Sequence, residues 1–291
     1  MPIKDCTRDL AVAVIVPTLN RREVTIRFVR EINSQKIPLR IYVSDSDSSD
    51  GTVQAVANEP NVRVVLAGST AWWSAAVNRG IEQARRDGAN IFLVMNDDIL
   101  FSTDLISRLL AAHRKFPGCV ICPLQRTDSG DFIGTLYEGI FRRVRHIARA
   151  PKDGLVATSN GCCLLIPAAA FDLAGYFDEE NCPHLYGDTE FQLRAMKMGF
   201  PTRPCGDAEI QQMQSTNYFG RLRLTSLFVF EGSPLHLRAY VTFGKTLFGS
   251  HFRFALLGIR FHFDFLKVLI KTLRFILNKK VSTLKARYAK L

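Results

Sequence analysis

Three groups of acidic residues stand where side chains can do chemistry. The first is Asn96-Asp97-Asp98, which follows directly on the apolar run Ile91–Met95. Five apolar residues in a row read as a buried strand of a parallel sheet. Carboxylates just past the C-terminal end of such a strand lie where open α/β sheets bind ligands. Two adjacent acids there suit a hard divalent cation shared with a diphosphate. The alternative is that one of them caps the next helix, a task Thr103 can also perform. The second group begins at Asp45, at the tip of an expected strand over residues 39–43, and continues through Asp47 and Asp50 to Gly51-Thr52. Small polar residues with a glycine are turn chemistry and bind through backbone N–H groups. Asp45 can take a ribose hydroxyl or a base N–H, or it is a solvated loop acid. The third group is Asp188 with Glu190, at the start of a helix that carries Arg194 and stops at Gly199. Acids in a first turn favour the helix dipole, so taken alone Asp188 reads as a cap.

The elements that must position these groups recur in a regular order. Strands are expected at residues 10–16, 39–43, 62–66 and 91–95, with helices at 22–33 and 73–86. Strand, polar loop and helix thus repeat three times before Asp98, the pattern of a mostly parallel α/β sheet covered by helices on both faces. A helix at 103–115, a strand at 119–122, an apolar run at 162–166 and a helix at 167–174 follow. Residues 125–157 read as irregular. Their cluster of Arg142, Arg143, Arg145 and Arg149 is an acceptor-side insert or, as preferred here, a solvated hairpin. No G-x-G-x-x-G follows the first strand, which counts against a dinucleotide enzyme. Gly244-Lys245-Thr246 has Ala239 where a P-loop needs its first glycine, so a P-loop is excluded.

Length and composition set the remaining bounds. With 291 residues, 47% of them hydrophobic, the chain has room for one large domain and an appendage. Seven cysteines without regular spacing argue against a disulfide framework and for a reducing compartment. Cys119 and Cys122, a lone C-x-x-C in an apolar run, read as buried thiols. The N-terminus has no apolar signal-peptide core, and no apolar run is long enough for a convincing transmembrane helix.

The net charge of +11 is unevenly spread: residues 221–291 hold 14 Lys/Arg and 2 Asp/Glu, leaving 24 and 25 for residues 1–220. The chain therefore divides into a neutral body, 1–220, and a basic, aromatic-rich amphipathic helical tail, 221–291. Within 251–278 the charges at Arg260, Asp264, Lys267, Lys271 and Arg274 fall at steps of 4, 3, 4 and 3, one stripe of a helix whose other side is apolar. Such a helix suits an anionic membrane surface. It can also pack on its own domain or on a second subunit. The apolar face argues against nucleic acid.

In this order, the motifs resemble the inverting family 2 glycosyltransferases of GT-A fold, over roughly residues 10–212. Val16-Pro17-Thr18-Leu19-Asn20-Arg21 is similar to the family's opening loop, and the stretch from Val43 to Thr52 to its acidic nucleotide loop. Asn78-Arg79-Gly80-Ile81 and Met95-Asn96-Asp97-Asp98 match the approach to its D-x-D-type metal site, written here N-D-D. Asn160-Gly161, the stretch from Gly175 to Glu179, and Gly187-Asp188-Thr189-Glu190-Phe191 with Arg194 match the acceptor half and the catalytic acid region. The resemblance implies a nucleotide-sugar donor (UDP-, dTDP- or GDP-linked) met by Pro17, Asn20, Asp45, Asp47, Asn78 and Asp97. It further implies Mg²⁺ or Mn²⁺ on Asp98, Asp188 as general base, and an acceptor side built from Trp73, Asn160, Gly161 and Glu190. The Trp72-to-Asn78 segment looks most like rhamnosyltransferase-type members. Many relatives place a histidine metal ligand shortly after the base helix. Residues 207–213 offer none, leaving Gln211, Gln212 or Glu209.

The expected protein is a cytoplasmic glycosyltransferase, peripheral on the inner face of the cell membrane. It moves a sugar with inversion to a saccharide acceptor, lipid-linked, in surface polysaccharide assembly. The rivals are a catalytically inactive nucleotide-binding protein that docks on membranes, and a sugar-phosphate nucleotidyltransferase.

Overall fold

Runs of Val, Ile and Leu with no polar alternation can be buried only in a sheet covered on both faces, and that is how they fold. The computed structural model describes residues 10–35, 37–127, 130–139, 142–152, 154–213 and 237–249. The strands β1 (Val12–Thr18), β2 (Leu39–Asp45), β3 (Val62–Leu66) and β4 (Ile91–Met95) pair in parallel in the order β3-β2-β1-β4. The helices α1 (Arg22–Asn33), α2 (Thr52–Val56) and α3 (Trp73–Arg86) connect them. Phe28, Val29 and Ile32 of α1 pack on one face of the sheet, and Val77, Ile81 and Ala84 of α3 on the other. Gly80 explains part of its motif: a Cβ there would stand 2.7 Å from Ile15 Cγ2, so glycine lets α3 lie close on β1.

The second half departs from the parallel pattern. β5 (Ile99–Phe101) turns back beyond the acids, followed by α4 (Leu105–Lys115), β6 (Val120–Arg126), the hairpin β7 (Gly134–Glu138) and β8 (Arg143–Ile147), β9 (Cys163–Pro167), α5 (Ala168–Ala174), α6 (Gly187–Lys197), β10 (Thr202–Gln212) and α7 (Leu237–Phe248). The large sheet runs β3-β2-β1-β4-β9-β6-β10-β5. In it β9 is antiparallel to both β4 and β6, and β10 is parallel to β6 and antiparallel to β5. Three of these elements correct the sequence reading. Residues 125–157 are not irregular throughout but hold a two-stranded antiparallel hairpin, and its β8 strand is largely exposed, as the solvated-hairpin reading of the arginine cluster expects. β5 is too short to show a period, and β10 carries Pro204, Gly206 and a register shift, so neither has a strand signature.

α7 belongs to the stretch 221–291, and it packs on α6. Tyr240, Phe243, Leu247 and Phe248 form a cluster with Leu193, against which Tyr137, Ala157 and Tyr186 lie. Gly244-Lys245-Thr246 thus sits inside a helix rather than a phosphate loop. The amphipathic stripe at 251–278 and the basic residues after it lie outside the described residues. Among the described residues no helix is long and apolar enough to cross a membrane. Cys119, Cys122, Cys162, Cys163 and Cys182 are buried free thiols.

Candidate active site

The acid pair emerges from β4 as its apolar run requires, and its environment is specific. Asp97 is fully buried; Thr25 Oγ1 donates to its Oδ2 at 2.7 Å. The guanidinium of Arg21 bridges the two acids, 3.1 Å from Asp97 Oδ1 and 3.3 Å from Asp98 Oδ2. Arg27 donates to the Asp97 carbonyl at 2.8 Å, fixing the backbone between the acids. Burial raises the Asp97 pKa, with Arg21 and Thr25 opposing it. Asp98 is half-buried, and its Oδ1 is a buried oxygen with no hydrogen-bond donor.

The loop after β2 lies beside this pair. Asp45 is buried; its Oδ2 accepts from the Ser48 N–H at 2.8 Å, and its Oδ1 has no donor. Asn20 ties the first loop to the second: its N–H donates to Ser48 Oγ at 2.8 Å, and its Oδ1 accepts from the Ser49 N–H at 2.8 Å. Asn20 (φ 51°) and Asp47 (φ 70°) both adopt the left-handed conformation that Asn and Asp tolerate best. Pro17 precedes Thr18 at the end of β1, half-buried, and Asp47 is exposed.

Asp188 comes to the same region from 90 residues away in sequence. β4 and β9 pair antiparallel with Met95 opposite Cys163, so residues 96–98 and 160–162 leave the sheet side by side. The Asn96 N–H donates to the Cys162 carbonyl at 3.0 Å. The Gly161 N–H then donates to Asp188 Oδ2 at 2.6 Å, and the Thr189 N–H to Oδ1 at 2.7 Å. The helix N-cap is Tyr186, held at φ 62°, so Asp188 lies one residue inside the helix. Asp188 is half-buried, and the loss of solvent around its carboxylate raises its pKa against the pull of these N–H donors.

The remaining expected residues divide. Asn160 donates to Gln125 Oε1 at 3.1 Å and stays exposed beside Asp188. Trp73 donates to Asn96 Oδ1 at 2.9 Å, linking α3 to the acid loop. Asn78 is turned to the 177–179 segment: it donates to the Phe177 carbonyl and Glu179 Oε2, both at 2.9 Å, and accepts from the Phe177 N–H. Glu190 is buried, paired with Arg194 at 2.8 Å and accepting from Thr246 of α7 at 3.0 Å. Glu209 is held by Arg126 at 2.7 Å, and Gln212 accepts from Gln125 at 3.1 Å.

Several site residues went unread in the sequence. Arg21 follows the opening loop with no local feature that marks it as the cation bridging the acid pair. Thr25, the one polar member of the buried α1 stripe Thr25-Phe28-Val29-Ile32, was a signal, because a buried hydroxyl requires a partner. A cleft of about 490 Å³ opens beside Asp188, and Tyr137, His146, Tyr240 and Phe243 line it with Asn160 and Thr189.

A divalent cation fits this donor set in a limited way. Among the described residues no cluster of three His, Cys, Asp or Glu could hold a metal alone. The unpartnered Asp98 Oδ1 is the oxygen suited to a cation that takes its other ligands from a diphosphate and water, as Mg²⁺ does.

Comparison with known proteins agrees with this geometry. The chain is 28% identical over 203 residues, 60% of its own length, to an N-acetylglucosaminyl-diphospho-decaprenol L-rhamnosyltransferase of Mycobacterium tuberculosis, found in strains CDC 1551 / Oshkosh and H37Rv. The match spans 66% of that relative's length. Among solved structures, a mannosyltransferase from Pyrobaculum calidifontis in complex with GDP-Man and Mn²⁺ is similar at TM-score 0.53 and 18% identity, over 73% of this chain and 59% of that one. GalNAc-T7 with UDP, GalNAc and Mn²⁺ is similar at TM-score 0.61 and 11% identity, over 83% and 48%. These likenesses show the GT-A fold. The model of glycosyl transferase family 2 matches residues 13–172, more than half of the chain, and the chain belongs to that family.

Proposed function

We propose that the chain moves a sugar from a nucleoside-diphosphate donor to a saccharide hydroxyl by a single inverting displacement, with Asp188 as general base. One observation carries this reading: the antiparallel β4–β9 pairing sets Asp97-Asp98 beside Gly161, whose N–H holds the Asp188 carboxylate. Acids assigned to the leaving diphosphate and to the attacking hydroxyl therefore share one end of the sheet. The acceptor oxygen attacks the anomeric carbon as the bond to the diphosphate breaks, and its proton passes to Asp188. Held by two N–H donors, that carboxylate is oriented before the acceptor arrives. Asp45 is the residue for the nucleoside. A cation on Asp98 would supply positive charge to the departing diphosphate.

The rhamnosyltransferase relative supports a deoxyhexose donor and a lipid-linked acceptor as the first pair to test. The basic stretch 251–291 supports docking on an anionic membrane face, the cytoplasmic one for a nucleotide-sugar enzyme. Incubating the protein with a donor panel and lipid-linked acceptors should release nucleoside diphosphate and give the opposite anomer. Release of pyrophosphate, or binding without turnover, would overturn the proposal. Donor affinity should drop in EDTA and in Asp98→Ala; affinity unchanged in both would remove Asp98 from the donor site. Deleting residues 251–291 should abolish sedimentation with anionic liposomes while preserving nucleotide binding.

A further inference from the structure

The β7–β8 hairpin carries a charge pattern that the proposed reaction does not use. From Gly139 to Lys152 the chain has five cations, Arg142, Arg143, Arg145, Arg149 and Lys152, and no acid, in a body of residues 1–220 that holds 24 Lys/Arg against 25 Asp/Glu. β8 pairs with β7, and among the described residues no strand meets its other edge. Arg143, Val144, Arg145 and His146 are all exposed, so both faces of the strand stand in solvent. Arg145 is tied to Glu138 at 2.7 Å, and among the described residues no acid lies within ion-pair distance of Arg143, Arg149 or Lys152. Scattered charges suffice to keep an edge strand from pairing with another chain, and mixed signs serve solubility. A run of one sign instead makes a field that attracts an anionic partner. Two features favour a bilayer over a soluble polyanion. Val144, apolar and between two arginines, is 39% exposed, and arginine side chains snorkel beside apolar groups at a membrane interface. α7, after which the basic stretch 251–291 follows, packs on the same hairpin, with the Phe243 and Tyr137 ring centroids 6.0 Å apart.

We propose that the arginine-rich face of this hairpin lies against the anionic headgroups of a membrane, a docking surface on the catalytic body distinct from the basic tail. Guanidinium groups suit that partner, because they hold phosphate through paired hydrogen bonds. Each cation near an anionic surface strengthens binding about fivefold. Three such cations orient the body but do not anchor it alone, since stable attachment takes a second signal, which the tail supplies. Val144 and His146 also border the cleft beside Asp188. The consequence for function rests on the reading of Asp188 as base and of the acceptor as lipid-linked: a docked hairpin sets the base at the surface that holds such an acceptor.

Co-sedimentation of the full chain with phosphatidylcholine vesicles, with and without phosphatidylglycerol, tests this. Arg143→Gln, Arg149→Gln and Lys152→Gln combined should weaken binding to the phosphatidylglycerol vesicles by about a hundredfold at wild-type Tm. Unchanged binding in that variant overturns the proposal. So does a variant that loses heparin while keeping the vesicles, which would assign the patch to a soluble polyanion. Should the variant not fold, hydrogen exchange in the wild-type full chain decides. Amides of residues 142–152 should slow with phosphatidylglycerol vesicles and not with phosphatidylcholine alone; exchange that does not slow there overturns the proposal. The tail reading fails separately: a chain lacking 251–291 that sediments as well as the full one would remove the tail as anchor and not the hairpin. None of these readouts needs turnover, so a chain inactive on every donor would remove the reading of Asp188 and leave the docking surface standing.

Discussion

The two halves of this site are built on different principles. On the side proposed for the donor, each assigned residue stands at the tip of a parallel strand or one loop beyond it: Asn20 after β1, Asp45 ending β2, Asp97 and Asp98 after β4. Neighbouring strands bring these tips together because parallel β-α units all point the same way. Buried acceptor oxygens on Asp45 and Asp98 remain without donors there, and Arg21 spans the acid pair. On the acceptor side the strands reverse direction, and Asp188 arrives on a helix with both carboxylate oxygens already bonded to backbone N–H groups. The donor side is open to a ligand's charge. The acceptor side is internally satisfied and is set to orient one carboxylate.

Asp188→Asn should give the largest effect on this contrast. Loss of a general base costs on the order of 10²–10⁴ in rate, so kcat should fall by that much with donor binding intact. Structure adds a cost that an ordinary cap would not show. An Asn amide has one acceptor oxygen for two N–H donors, and the unmet pairing costs about 1–3 kcal/mol. Near-normal turnover in this variant would break the division, and the internal pairing of Glu190 leaves that residue no better placed to serve as base.

Next in size is Glu190→Ala, which removes the carboxylate partner of Arg194 and leaves that guanidinium only the Ala174 and Tyr176 carbonyls. Breaking a buried pair costs about 3–5 kcal/mol, read as a lower urea midpoint. Turnover per folded molecule should hold, which would establish Glu190 as structural rather than acceptor-binding. Gly161→Ala is a sharper probe of orientation. A Cβ there falls 2.6 Å from Asp188 Cβ and 2.7 Å from its Oδ2, so the carboxylate must move. A displacement near 1 Å costs about 10²-fold, expected in kcat and not in donor KM. If both parameters change together, the two halves are coupled more tightly than the sheet geometry implies.

The smallest effect expected is on pH dependence. Burial raises the Asp188 pKa above the ordinary carboxylate range, so its proton is retained to higher pH. A base must be deprotonated, so kcat should decline on the acid side from a pH above the roughly 3.9 of a free Asp. That limb should vanish from the residual activity of Asp188→Asn. The same shift makes the charged form costlier in the fold, so Asp188 detracts from stability at pH above its unfolded pKa and detracts less as pH falls.

Local pattern was enough to place the strands and acids proposed for the donor. The strands are uniform apolar runs and the acids follow within a few residues, so local pattern fixes both element and position, as at Ile91–Met95 and Asp98. It also placed Asp188 at the head of a helix, without separating base from cap. The remainder depends on contacts between distant segments. The pairing of Met95 with Cys163 and the Gly161 contact involve residues tens of positions apart, which no local period encodes. In the hairpin at 134–147 β8 is exposed along nearly its whole length, and β10 is interrupted by proline and glycine, so neither shows a regular burial period before partner strands supply its hydrogen bonds. α7 falls within the expected helical tail, but the amphipathic stripe lies further on, at 251–278, and a stripe names no partner. The seat of α7 on α6, and with it the aromatic wall beside Asp188, exists only where residues 186, 240 and 243 meet in space.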